Sequence, residues 1–226
     1  MEEKTNFEKG KDQKKDYIEP LKSGKEFFSL SGKSIGCKVR DFWRFMYSNL
    51  YDIQGDVAEF LVAKALKKEL PENRNGWTPY DMTYRGKRLE VKSTAYFQLW
   101  KESEEISEVR NFSIQKTHIK NQNTKTRKER QNDIYVFCIN NGRNYKDANP
   151  LNLDNWTFYV VPTSTINIKC SNNMKISLGR VKELANEGDG IKYDKLKEAI
   201  DKAIDEMNGR FTGIAGSAIT KKEETR

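Results

Sequence analysis

Asp81, Glu90 and Lys92 fall within one short stretch, PYDMTYRGKRLEVKST, which runs from Pro79 to Thr94. Two strand-like runs joined by a loop that contains Gly86 read as a β-hairpin. A two-residue loop at Arg85 and Gly86 pairs Tyr84 with Lys87; carried backwards, the register pairs Thr83 with Arg88, Met82 with Leu89, and Asp81 with Glu90. A four-residue loop gives the same register. The two carboxylates then stand side by side, about 5 Å apart. Because side chains alternate along a strand, Glu90 and Lys92 share that face while Leu89 and Val91 point to the other. Two acids at this separation repel one another, and a hard divalent cation is the simplest agent to hold both ionised. Lys92 beside them would neutralise developing negative charge. The plain alternative is a solvent-facing hairpin whose Glu, Lys and Arg merely alternate with core residues.

The element just upstream adds a third acid. QGDVAEFLVAKALKKEL, from Gln54 to Leu70, has no helix breaker after Gly55, carries lysines towards its end and is stopped by Pro71. At about 100° per residue, Gly55, Val62, Ala63 and Leu66 lie within roughly 60° of Glu59, whereas Lys64, Lys67 and Lys68 occupy a separate arc. A carboxylate in an apolar stripe is costly unless it is paired or bound to a cation. Either Glu59 marks the margin of the buried face or it has a polar partner. An earlier helix is predicted in CKVRDFWRFMYSNLYD, where Val39, Phe42, Trp43, Phe45, Met46 and Leu50 recur near helical spacing and suggest packing rather than chemistry.

The rest of the chain sets bounds on the chemistry. Its 226 residues suffice for one ordinary domain with a real core, expected over 25–209, between a charged leader at 1–24 and a tail at 210–226. Three separated cysteines with no CxxC pairing argue against a disulfide framework or thiolate zinc. A single histidine, His118, rules out a histidine-rich metal site within one chain and reads as a surface residue in a loop or short helix. Carboxylates and lysine remain as the chemical groups. No apolar run reaches membrane-spanning length, and the start has no apolar signal region, so the expectation is a cytoplasmic protein without a membrane partner. A net charge of +8 favours anionic partners, with nucleic acid ahead of an acidic membrane surface. Lys116, Lys120, Lys125, Arg127, Lys128 and Arg130 form a basic connection, read either as solvated or as a set of phosphate contacts. DIYVFCI and WTFYVVP read as buried strands, and LGRVKELA and YDKLKEAIDKAIDEM as helices that cover a sheet.

A helix with a glutamate, then a strand pair carrying D…ExK, then further helix and strand resembles the PD-(D/E)XK nuclease superfamily. GDVAEF looks like its glutamate helix, PYD ends in the aspartate and EVK supplies the rest; Tyr80 stands where the motif's name would put proline. The resemblance is best over residues 51 to 100 and implies an α/β fold, a restriction-endonuclease-like mixed β-sheet flanked by helices. It further implies an Mg²⁺-dependent endonuclease acting on DNA, with Mn²⁺ able to substitute. Asp81 and Glu90 would be metal ligands, with the Val91 carbonyl a further oxygen and Glu59 completing the site directly, through water or through a second ion. Lys92 would orient water and stabilise charge on the phosphate. If the strand continues past Thr94 and Tyr96, Gln98 lies on the same face. Restriction, repair and mobile-element processing all fit this resemblance, as does a homodimer. The rivals are a catalytically inactive DNA-binding module of the same fold and an interaction subunit of a defence or repair complex.

Overall fold

The computed structural model describes residues 23–50, 53–67, 78–97, 110–119, 127–144 and 147–219, with side chains as far as residue 209. Gln98, Lys120 and Lys125 lie outside the described residues, as do 1–22 of the expected leader and 220–226 of the expected tail. The chain divides into two compact units, one comprising Met1–Ser48 with Leu70–Gly76 and the other Asn49–Glu69 with Trp77–Arg226.

In the first unit, β1 (Phe27–Leu30) and β2 (Lys33–Lys38) form an antiparallel hairpin, followed by α1 (Val39–Met46). The helix begins at Val39, where the apolar periodicity begins, and ends at Met46, short of Leu50. None of its residues is buried, and Phe45 is 76% exposed. Its apolar face nonetheless meets the hairpin, Phe42 standing edge-on to Phe28 of β1 with ring centroids 6.1 Å apart.

The second unit contains α2 (Gln54–Ala65), β3 (Met82–Tyr84), β4 (Lys87–Ala95), β5 (Asn111–Ser113), β6 (Thr117–His118), β7 (Lys128–Glu129), β8 (Ile134–Asn140), β9 (Trp156–Pro162), α3 (Thr163–Lys169), β10 (Lys175–Ser177), α4 (Leu178–Leu184) and α5 (Leu196–Ile219). Four strands make a mixed sheet in the order β3-β4-β8-β9, parallel between β4 and β8 and antiparallel at the other two pairings. All seven residues of β8 are buried, as its continuous apolar run demands of a central strand. One face of the sheet presents Leu89, Val91, Val136 and Cys138 to Ala58, Leu61 and Val62 of α2 and to Leu196, Ile200 and Ile204 of α5. The opposite face presents Tyr135, Phe137, Ile139, Tyr159 and Val161 to Phe112, Ile114, Ile166, Ile176 and Val181. The architecture is therefore α/β, a mixed sheet flanked by helices.

Two smaller pairings flank the sheet, β5 with β10 and β6 with β7. His118 belongs to β6, a strand rather than the expected loop or helix, and is exposed. The α5 helix continues to Ile219, past the boundary expected at residue 209. Among the described residues no helix is long and apolar enough to cross a membrane.

Candidate active site

Turn chemistry fixes the β3–β4 hairpin. Arg85 and Gly86 have φ of 48° and 74°, the pair of left-handed conformations that a two-residue type I′ turn requires. Gly86 adopts this without steric cost; Arg85 is held there by ion pairs to Asp201 at 3.0 Å and Asp205 at 2.7 Å on α5. The register is Tyr84 with Lys87, Thr83 with Arg88 and Met82 with Leu89, as the sequence predicts.

At Asp81 the ladder departs from the prediction. The Asp81 N–H donates to the Leu89 carbonyl at 3.0 Å, so the strand pairing ends at Met82 and Asp81 does not form a ladder pair with Glu90. Its carboxylate accepts instead from the Val91 N–H, at 2.6 Å. The physical reason lies in the edge of β4: once β3 has ended, the outward amide of Val91 needs an acceptor, and the Asp81 side chain provides it. A strand residue sends its N–H and C=O to the same neighbour, so the Val91 carbonyl leaves on this edge too.

Glu90 and Lys92 share one face of β4 and are ion-paired to each other, with side chains 17% and 31% exposed. Their partners in the parallel ladder are Tyr135 and Phe137, which places them on the sheet face opposite Leu89 and Val91. Burial raises the pKa of Glu90, the charge of Asp81 raises it further, and Lys92 acts against both. Asp81, Glu90 and Lys92 are thus brought together, with Asp81 at the strand edge and the other two on the adjoining face.

Glu59 stands differently. Its helix packs on the Leu89 and Val91 face, so the sheet lies between α2 and the Glu90–Lys92 pair. The half-buried Glu59 carboxylate and that of Asp81 both act on the buried thiol of Cys138, whose pKa is pushed well up, first by burial and then by these two charges. Asp81 is therefore the link, acting on Glu90 on one face and, with Glu59, on Cys138 at the other. Among the described residues no three His, Cys, Asp or Glu side chains converge closely enough to hold a metal ion. The expected three-acid ligand set does not form such a group, because Glu90 lies on the face of the sheet away from the helix that carries Glu59.

The basic connection divides likewise. Lys116, Arg127 and Lys128 line a cleft of about 510 Å³ at the end of the sheet where β4 and β8 begin. Arg130, 6% exposed, does not serve as a free phosphate contact: its Nε donates to the Ile114 carbonyl, Nη1 to Asn167 Oδ1 and the Ser171 carbonyl, and Nη2 to the carbonyls of Cys170 and Asn173. Those bonds engage all five donors of the guanidinium.

Sequence reasoning missed Arg88, which also lines the cleft. The alternation in KRLEVK places it on the face of Glu90 and Lys92, so the signal was present. It makes three hydrogen bonds to Asp133, at 2.8, 3.0 and 2.8 Å. Burial would raise the Asp133 carboxyl, but these bonds outweigh it and hold its pKa below the usual range. Tyr135 joins cleft and acids: burial pushes its hydroxyl up to about 12, with Arg130 opposing the shift and Glu90 adding to it.

No protein-family model matches the chain, and neither curated proteins nor solved structures provide a match.

Proposed function

We propose that this protein is a metal-dependent nuclease that hydrolyses DNA phosphodiester bonds. One observation carries the reading: Glu90, Lys92 and Asp81 meet at the edge of β4, where burial and the charge of Asp81 together raise the pKa of Glu90 despite the adjacent lysine. A site with two acids and one lysine is short of positive charge, and a divalent cation would supply it. The donor set suits Mg²⁺, or Mn²⁺ in its place, because Mg²⁺ keeps several waters and needs only one or two carboxylates from the protein. Asp81 and Glu90 would hold the ion, the Val91 carbonyl is on the same edge, and Glu59 would act from the far side of the sheet through water. When bound, such an ion polarises the phosphoryl oxygen and makes its own water a better nucleophile. Lys92 would stabilise the negative charge that develops on the scissile phosphate. The resemblance of GDVAEF, PYD and EVK to the PD-(D/E)XK superfamily, with its restriction-endonuclease-like fold, supports the same conclusion, and the basic cleft supports a DNA substrate.

The experiment is cleavage of plasmid, single-stranded and branched DNA by the purified protein with Mg²⁺ or Mn²⁺, and with EDTA as control. Cleavage should require the cation, and Lys92→Ala should slow it by about 10²- to 10³-fold, the usual cost of removing one preorganised charge stabiliser. A second reading, a DNA-binding module without catalysis, is favoured by the failure of three acids to converge among the described residues. It takes over if the protein binds DNA in the presence of either cation and cleaves none of these substrates.

A further inference from the structure

The cleft that Arg88 lines, two residues before Glu90 on β4, differs from an ordinary solvated basic surface. Arg88 is tied to Asp133, Arg127 faces Glu129 at 3.6 Å, and Arg130 is committed to the fold, which leaves Lys116 and Lys128 as lining cations without a carboxylate partner among the described residues. The lining comes from the β6–β7 hairpin and its approach, through Lys116 and Lys128, and from Ser164 and Asn167 on α3, with Met207 of α5 also present. Asn167 is oriented: its Oδ1 accepts from Arg130 at 2.8 Å, so its amide NH₂ is the end that remains to donate. The volume of about 510 Å³ lies within the roughly 300–1,000 Å³ that small-ligand sites span. Arg88 reaches this cleft from a position two residues before Glu90, on the same face of β4 and about 7 Å along the strand.

We propose that this cleft is a subsite for one unpaired nucleotide of single-stranded DNA, next to the phosphate held at Glu90 and Lys92. The proposal rests on the nuclease reading and names its substrate class. Lys116 and Lys128 take the phosphate of that nucleotide; Asn167 and Ser164 meet the edge of its base, and Met207 its face. A paired base is stacked within the duplex and cannot enter a pocket unless it is first extruded, whereas a single strand offers its bases directly.

The test is fluorescence anisotropy with a labelled oligothymidylate and a blunt duplex of equal length, both in EDTA so that no cleavage intervenes. The single strand should bind at least about tenfold more tightly than the duplex, and the Lys116→Ala/Lys128→Ala protein should lose about tenfold or more of that affinity, since phosphate contacts dominate such binding. Asn167→Ala should weaken single-strand binding several-fold while Lys195→Ala, an exposed lysine outside the cleft lining, does not. Equal or tighter binding of the duplex, or unchanged single-strand affinity in the double-lysine variant, would overturn the proposal. The two readings fail separately. Cleavage by wild-type protein with no dependence of binding on Lys116 and Lys128 removes the subsite alone; tight, lysine-dependent single-strand binding without cleavage in Mg²⁺ or Mn²⁺ removes the nuclease alone.

Discussion

Glu90 is acted on by burial, by a like charge and by a lysine at once, and the net result is a raised pKa. The folded protein therefore binds this proton more tightly than the unfolded chain does. The associated stability is fully present below the ordinary value of 4.5 and is lost as pH rises through the folded-state pKa. Glu90→Gln, which resembles the protonated form, should raise the melting temperature at pH 7, and the gain should shrink towards pH 4. Mg²⁺ should raise the melting temperature of the wild type and not that of Glu90→Gln, because an ion held by this carboxylate stabilises only a fold that contains it. Calorimetric scans at the two pH values, with and without Mg²⁺, decide the matter. A variant that melts lower than wild type at pH 7 would show that its ion pair with Lys92 outweighs burial and Asp81.

At the scale of elements, what was legible in the sequence was local. The β3–β4 register follows from a two-residue turn and strict alternation, and both lie within the stretch that forms them. β9 spans Trp156–Pro162, the apolar run read as a strand, since a continuous run of that length has one way to be buried in a sheet. What was not legible depended on distant partners. Periodicity placed Glu59 on an apolar stripe of α2 but could not say which face of the sheet α2 would cover. Arg130 sits in a polar, basic run and reads as solvated or as a phosphate contact, yet its acceptors lie 16, 37, 40, 41 and 43 residues away. Arg130→Ala should cost on the order of 3 kcal/mol, because it leaves buried carbonyls from the β5 and α3 regions without donors. Lys128→Ala, on an exposed side chain nearby, should change stability by no more than about 0.5 kcal/mol. Chemical denaturation of both variants checks this, and equal stabilities would make Arg130 a free phosphate contact after all.

Over the whole molecule, the net charge of +8 gives a general attraction to polyanions, but structure decides which cations can express it. Arg85, Arg88, Arg180, Lys195 and Lys197 all face carboxylates, and Arg130 is enclosed, so these cations are engaged within the fold. Lys116 and Lys128 line the cleft without a carboxylate partner among the described residues. Binding and chemistry should therefore separate by residue. Removing Lys116 and Lys128 should flatten the dependence of single-strand affinity on salt, by about 0.7 in the log-log slope for each phosphate that is no longer neutralised. Asp81→Asn should leave that slope unchanged and abolish cation-dependent cleavage, since its carboxylate bonds the Val91 amide at the strand edge and lies away from the cleft lining. Titrations at several salt concentrations, paired with cleavage assays on the same proteins, measure both. If Asp81→Asn shifted the salt slope as much as the lysine variant did, the acids and the cleft would belong to a single binding surface, and assigning chemistry to one and grip to the other would fail.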